Sequence, residues 1–301
     1  MRIIMAGGTG MIGTELTRSL LLDGHQIWIL SRNPSTANIP DGALVVPWDC
    51  RTTIGWGPLV SQAGAIINLA GESLGSGLWN KARKDRILSS RVSAGKVITS
   101  AIANANPRPK TLIQASAVGF YGPHGSETVT EEFPKGQGFL AEVCSAWEAS
   151  TQPVDSMGVR RVVVRTGVVL SKYTGALPRI LLPYKLFLGG PIGNGKQGFP
   201  WIHPFDEVAA IRFLLESDHA SGVYNLSAPE PVSNSEFGRI LARVMHRPSW
   251  LPVPDFALKL LLGEMSALVL EGQYMLPNRL LELGFKFRYE EVQPAMIDLL
   301  A

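Results

Sequence analysis

Arg2-Ile3-Ile4-Met5-Ala6-Gly7-Gly8-Thr9-Gly10-Met11-Ile12-Gly13 is the stretch that decides how this chain is read. Arg2 to Ala6 is short and mostly apolar, as a buried parallel strand is. Glycines then recur at every third position, at Gly7, Gly10 and Gly13. Beyond them Ile12, Leu16 and Leu20 fall at four-residue steps, one face of a helix. Gly24 supplies the left-handed residue on which a helix ends. Strand, glycine turn and helix in this order predict a dinucleotide site. Gly7 permits the tight turn, Gly10 lets a pyrophosphate approach the backbone, and Gly13 lets helix and strand pack closely. The free N–H groups of the helix start face the phosphates.

The remaining chain is compatible with that start. Its 301 residues are 46% hydrophobic and 18% charged, enough apolar surface for a large core and too much for disorder. The net charge of +3 gives no electrostatic case for a nucleic-acid partner. Cys50 and Cys144 lie far apart with no CxxC pair, which argues against a metal site or disulfide scaffold and fits a reducing compartment. The first apolar run is too short for a secretory signal, and no run of about 18 apolar residues spans a membrane. A cytoplasmic protein with a small-molecule substrate and no membrane partner is expected; the oligomeric state is not legible.

The second strand, Gln26 to Leu30, ends at Ser31-Arg32-Asn33-Pro34. At this strand end an acidic residue would bind a ribose 2′-hydroxyl, whereas an arginine accommodates a 2′-phosphate. The tip has no Asp or Glu. Ser31 offers a hydroxyl and Arg32 a planar charged fork, so NADP(H) is expected over NAD(H). A short strand at Ala43 to Val46 and an apolar strand from Ala65 follow. The latter runs into Asn68-Leu69-Ala70-Gly71, candidates for the cofactor wall because open parallel sheets bind ligands at the carboxyl ends of their strands. A helix from about Leu78 to Asn104 carries Arg83, Arg86 and Arg91. Thr111 to Ala115 is a strand, with Ser116-Ala117-Val118-Gly119-Phe120-Tyr121-Gly122 as the loop after it. A helix from about Phe139 to Met157 and a strand at Arg161 to Arg165 complete the alternation.

The pattern predicts an α/β protein with a Rossmann-type, doubly wound parallel sheet and a smaller C-terminal substrate lobe. Residues 1–170 with 203–232 are expected to form the cofactor domain. Residues 171–202 with 233–301 are expected to form the smaller lobe. Within the second part, Gly189 to Gly195 reads as a loop, Asp206 to Leu215 as a helix and Gly222 to Ala228 as a strand. Ser233-Asn234-Ser235-Glu236 reads as a capping box opening a helix.

With these residues in view the chain resembles the short-chain dehydrogenase/reductase superfamily, and within it the atypical, epimerase-like family. The resemblance rests on Gly7–Gly13, Ser31-Arg32, Asn68-Leu69-Ala70-Gly71-Glu72, Ser116–Gly122 and Arg165-Thr166-Gly167-Val168-Val169-Leu170. Gly189-Gly190-Pro191-Ile192-Gly193, Trp201-Ile202-His203 and Leu270-Glu271-Gly272-Gln273 complete it. It implies NADP(H) binding, with contacts at Thr9, Gly10, Met11, Ile12, Ser31, Arg32, Leu69, Ala70, Arg86, Arg91 and Val169. It also implies an oxidoreductase or epimerase acting on a small polar substrate such as a nucleotide sugar.

The departures from that family pattern concern the chemistry. Catalytic members pair a serine with Tyr-x-x-x-Lys. Ser116 fits the serine, but the expected tyrosine and lysine positions hold Leu140 and Cys144, and the upstream catalytic asparagine is replaced by Arg91. Leucine carries no proton, and an ionised cysteine has the wrong charge to replace lysine. Ser116 and Tyr121, five residues on, remain as candidates for proton transfer. His203 reads as a packed, hydrogen-bonded histidine and Cys144 as a buried, inert thiol. A second function from a different class therefore stands beside the enzyme: an NADP(H)-binding sensor or assembly factor without turnover.

Overall fold

The computed structural model describes residues 1–301. Seven parallel strands form the central sheet: β1 (Arg2–Ala6), β2 (Gln26–Ser31), β3 (Leu44–Pro47), β4 (Ala65–Asn68), β5 (Thr111–Ala117), β6 (Arg160–Thr166) and β7 (Gly222–Leu226). Their spatial order is β3-β2-β1-β4-β5-β6-β7. The chain leaves β1 toward one edge through β2 and β3, then returns to place β4 on the other side of β1. That reversal between β1 and β4 is where an open parallel sheet leaves a crevice at its carboxyl edge. β1 is interior, as the sequence pattern predicts.

Both faces of β1 are buried: Ile3 and Met5 belong to one apolar cluster, Ile4 and Ala6 to the other. On the first face lie α1 (Met11–Leu22), with Leu16 and Leu20 inward, and α5 (Pro204–Glu216), with Ala210, Ile211 and Leu214 inward. On the second lies α2 (Lys81–Ala103), which contributes Ala94, Val97, Ile98, Ala101 and Ile102. Each fully buried leucine or isoleucine there contributes about 1.5–3 kcal/mol. A third cluster joins Leu177, Leu181 and Tyr184 of α4 (Leu177–Lys185), Phe237 and Leu241 of α6 (Asn234–Met245), and Val292, Ala295 and Met296 of α10 (Val292–Leu300). It is the core of the smaller C-terminal region, to which α7 (Asp255–Leu262), α8 (Ala267–Leu270) and α9 (Asn278–Glu282) are added.

Several element ends differ from the sequence expectation for local reasons. α2 begins at Lys81 because the Asn80 side chain caps it, accepting from Arg83 N at 2.8 Å. The helix expected to reach Met157 stops as α3 (Phe139–Ala149). Pro153 cannot continue an α-helical hydrogen-bond ladder, and Gln152–Met157 is a 3-10 helix instead. The sequence pattern does not predict α4, because Pro178 and Pro183 disguise it. Pro178 falls in its first turn, where the missing N–H costs nothing. At Ser233 the expected cap is present, its hydroxyl accepting from Glu236 N at 3.1 Å. No helix is long and apolar enough to cross a membrane.

Candidate functional site

The glycine turn sits at the carboxyl end of β1, in the crevice between β1 and β4. Gly7 has φ +81°, and a Cβ there would lie 2.7 Å from the Leu69 carbonyl. At Gly13 a Cβ would lie 2.3 Å from Gly7 O, so α1 can start this close to the turn only with glycine. Leu69 N donates to Ala6 O at 2.9 Å, tying the loop after β4 to the end of β1. No side chain caps α1, and its first turn has no acidic residue. Gly10 N donates to Gly7 O at 3.0 Å and closes the turn, while the leading N–H groups of Thr9, Met11 and Ile12 are left for an incoming anion. Val169 and Met11 both approach Gly175, which brings the loop after β6 over the start of α1.

At the end of β2, Ser31 Oγ accepts from Asn33 N at 3.3 Å, and Arg32 is exposed and forms no ion pair. A guanidinium without an ion pair and a hydroxyl at this strand end fit the donor set a phosphate monoester requires. The residues of the turn and of this strand end therefore fit a dinucleotide phosphate.

Four arginines reach the loop after β4. Arg83 is buried. It pairs with Glu72 and donates to Ser73 O and Ser76 Oγ, while its Nε is buried without a partner. Arg91 is also buried. It donates to Glu72 O at 3.1 Å and to Ile87 O at 2.9 Å, packs on Gly71, and lies 4.9 Å from the Trp147 ring centre. Burial lowers its pKa, against the nearby Cys144 and Glu72. Arg86 remains exposed, 3.5 Å from Glu72. Arg179 of α4 reaches this loop from the smaller lobe, donating to Gly75 O at 2.7 Å. The sequence points to Arg86 and Arg91 but not to Arg83 as a buried clamp, because a helical arginine is ordinarily solvated. The Glu72, eleven residues upstream, is the only sequence signal that would have singled it out.

Beyond the loop, α3 presents Leu140, Cys144 and Glu148, each four residues apart, toward the end of β5. Gly119 makes room for this face: a Cβ there would lie 3.0 Å from Leu140 Cβ and 3.6 Å from Cys144 Sγ. Leu140 packs in an apolar group with Trp79, Val143 and Met265. Cys144 is buried, and burial pushes its thiol up to about 11, so it is neither a charge nor a nucleophile at neutral pH. Ser116 Oγ donates to Glu148 Oε1 at 2.6 Å. Arg165 grips the same carboxylate through Nε at 2.9 Å and Nη2 at 3.0 Å.

Tyr121 departs from the expectation of a candidate acid or base. It is fully buried, its hydroxyl donating to Asn225 Oδ1 at 2.6 Å and accepting from Arg165 Nη1 at 3.1 Å. Burial raises its phenol further. The structure thus brings Ser116 to the crevice but keeps Tyr121 behind it, as a support of Arg165. Glu148 and Arg165 carry no motif that the sequence reading used for chemistry.

His203 is structural. Its Nδ1 accepts from Phe205 N at 3.1 Å as the cap of α5, and its ring stacks on Tyr289 at 4.0 Å. Nε2 faces Asp298 of α10 at 3.3 Å, and burial lowers the imidazole to about 4.

Comparison with known proteins agrees with this construction. The pattern described as the NAD dependent epimerase/dehydratase family matches residues 3–227, and a domain of unknown function matches residues 253–299. The epimerase family protein YfhF of Bacillus subtilis is 42% identical over 304 residues, covering 100% of this chain and 98% of that one. The epimerase family protein SDR39U1 of Bos taurus is 37% identical, with 100% of both chains covered. The crystal structure of human epimerase family protein SDR39U1 with NADPH superposes with a TM-score of 0.86 at 33% identity, covering 99% of each chain. A match that begins within β1, takes in the glycine turn and all seven strands of the sheet, and extends to relatives of the same length leaves one assignment: this chain belongs to the NAD dependent epimerase/dehydratase family.

Proposed function

We propose that this chain is an NADP(H)-binding, epimerase-like oxidoreductase of the atypical short-chain dehydrogenase/reductase type, acting on a small polar substrate such as a nucleotide sugar. Residues 1–170 with 203–232 hold the cofactor, and residues 171–202 with 233–301 close over it. Gly7, Gly10 and Gly13 let the pyrophosphate reach the start of α1. Leu69, Ala70, Gly71 and Val169 line the crevice, and Ser31 and Arg32 hold the 2′-phosphate. The human relative whose structure contains NADPH supports the cofactor. The single observation that carries the choice of NADP(H) is Arg32, an exposed guanidinium without an ion pair at the end of β2, whose tip sequence Ser31-Arg32-Asn33-Pro34 has no acidic residue.

A bound nicotinamide supplies hydride exchange at a carbinol carbon. The chain's own contribution at that end is Ser116. Its single proton is directed to Glu148, which leaves the hydroxyl able to accept an O–H or N–H rather than to polarise a carbonyl. The second reading, a cofactor-dependent sensor or assembly factor without turnover, is favoured by Leu140 at the expected proton donor and by Cys144 at the expected lysine.

Calorimetry tests the cofactor assignment. The unmutated protein should bind NADPH more tightly than NADH, by the ~1.5–3 kcal/mol of a charge-assisted pair, roughly ten- to a hundredfold. Arg32→Ala should remove the difference and leave NADH binding nearly unchanged. Equal affinities in the unmutated protein would sink the assignment.

A further inference from the structure

Half of the chain's exposed large apolar side chains lie within residues 182–188 and 250–268, all in the smaller lobe. α7, Asp-Phe-Ala-Leu-Lys-Leu-Leu-Leu, has no buried residue. Phe256, Leu260 and Leu261 are 73%, 87% and 71% exposed and share one side of the helix. The segment before it is zipped to the turn after α4. Trp250 Nε1 donates to Phe187 O at 3.1 Å, Leu251 N donates to Gly189 O at 3.1 Å, and Val253 N donates to Pro191 O at 2.9 Å. Exposed Leu186, Phe187, Trp250 and Leu251 therefore adjoin one another, and α7 continues directly from them.

Two further features set this surface apart. Phe187 has φ +63°, a conformation that is uncommon and costly for an aromatic residue, and it is held there half-exposed. The charge is also one-sided. Residues 177–190 and 240–268 contain five basic side chains and two acidic, whereas the whole chain has 28 and 25. Arg247 lies 4.6 Å from the Phe187 ring centre. Lys185 and Lys259 form no ion pair; of the two carboxylates, Asp255 is packed against Gly193 and Glu264 is taken up by Lys84 of α2. The segment is not a loose end. Beyond α7, Glu264 pairs with Lys84 of α2 at 2.6 Å, and Met265 packs with Trp79.

We propose that α7, with Phe187 and Trp250 beside it, docks this protein on the surface of an anionic lipid bilayer. Aromatic and leucine side chains enter the headgroup boundary while Lys185, Arg247 and Lys259 meet the negative surface. A second copy on this face would bring the same cations against their own images, which disfavours self-association. The expectation of no membrane partner rested on the lack of a spanning segment, and surface docking needs none. This role is separate from the cofactor crevice.

The test is co-sedimentation of the full chain with vesicles of phosphatidylcholine alone and with about a third phosphatidylglycerol. Binding should require the anionic lipid and weaken as salt is raised. The triple variant Phe256→Ser, Leu260→Ser, Leu261→Ser changes only exposed positions and should bind about tenfold more weakly or worse, with unchanged circular dichroism and NADPH affinity. Lys185→Glu with Lys259→Glu, a second variant that leaves the apolar face intact, should also lose binding. No sedimentation of the unmutated chain with anionic vesicles overturns the proposal. So does retention of binding by both variants. A dimer in light scattering that the triple variant splits would identify the face as a contact between copies instead.

Discussion

Glu207, in the first turn of α5, should make this protein less stable as pH rises through neutrality. Its side chain is fully enclosed. One carboxyl oxygen accepts from Thr166 Oγ1 at 2.8 Å, and the other is buried with no partner. Burial, only partly opposed by the Thr166 bond, raises its pKa to about 8 from 4.5. The folded state therefore keeps a proton that the unfolded chain releases above about pH 4.5. The sign follows from that difference: stability from this group is fully present below the unfolded pKa and is lost as pH rises toward the folded one. The slope is about 1.4 kcal/mol per pH unit, which amounts to about 3 kcal/mol by pH 7 and about 5 kcal/mol above pH 8. Glu207→Gln keeps the shape and the acceptor for Thr166 but does not titrate. Urea unfolding of both proteins from about pH 5 to about pH 9 should show the variant's relative stability rising by ~1.4 kcal/mol per unit and levelling above about pH 8. Taking the difference cancels other titrations, including those of Asp206 and His203 nearby. Parallel pH profiles for the two proteins would refute the reasoning, since they would mean that Glu207 titrates alike in both states.

The remaining predictions concern the crevice. Gly13→Ala places a methyl against Gly7 O and should cost about 1–3 kcal/mol in unfolding free energy while abolishing NADPH binding, read by denaturation and calorimetry. Arg165→Met removes the partner of Glu148 and of Tyr121, and chemical denaturation should show a loss of about 3–5 kcal/mol. A screen of ordinary carbonyl compounds, as distinct from the nucleotide sugars of the enzyme reading, followed by NADPH absorbance should give little or no turnover. Rapid turnover that Ser116→Ala abolishes would overturn the sensor reading, and loss in Tyr121→Phe without loss of stability would contradict the interior placement of that hydroxyl.

Sequence patterns determine most of what positions the site. The β1–α1 unit is legible because a parallel strand buried on both faces is a continuous apolar run, and because Gly7 and Gly13 each meet a backbone atom that excludes a side chain. The place of Ser31 and Arg32 at the end of β2 is legible because they lie at a fixed offset from a recognisable strand. What escapes the sequence is carried by pairs distant along the chain. Glu148 and Arg165 belong to elements that are individually predictable, yet nothing in either segment says that they meet. Tyr121 fails for the same reason: its partner Asn225 lies 104 residues away, on β7. Local spacing brings Tyr121 near Ser116 in sequence, while the 3-10 turn at Val118–Tyr121 carries its ring inward. α4 is hidden for a different reason, since its two prolines carry more local weight than its apolar spacing.

The group behind Ser116 is not explained by stability alone. Burial works against the charged guanidinium of Arg165, yet its bonds to Glu148 and its closeness to Tyr121 hold its pKa above the ordinary value. An ion pair enclosed in this way commonly gains little over well-packed apolar side chains of the same volume. Arg165 also lies 3.4 Å from the Phe120 ring centre, so the turn that follows Ser116 is packed against the same guanidinium. The arrangement does one thing that an apolar core would not do: it gives the Ser116 hydroxyl a single orientation. With its proton committed to Glu148, the serine can accept but not donate. Leu140 removes the other donor expected at this position. Leu140 on α3 and the committed proton of Ser116 at the end of β5 therefore act in the same direction and remove the two side-chain donors that the family pattern places at a carbonyl oxygen. What remains at the end of β5 is an oriented acceptor, suited to holding a hydroxyl or an amide rather than to protonating an oxyanion.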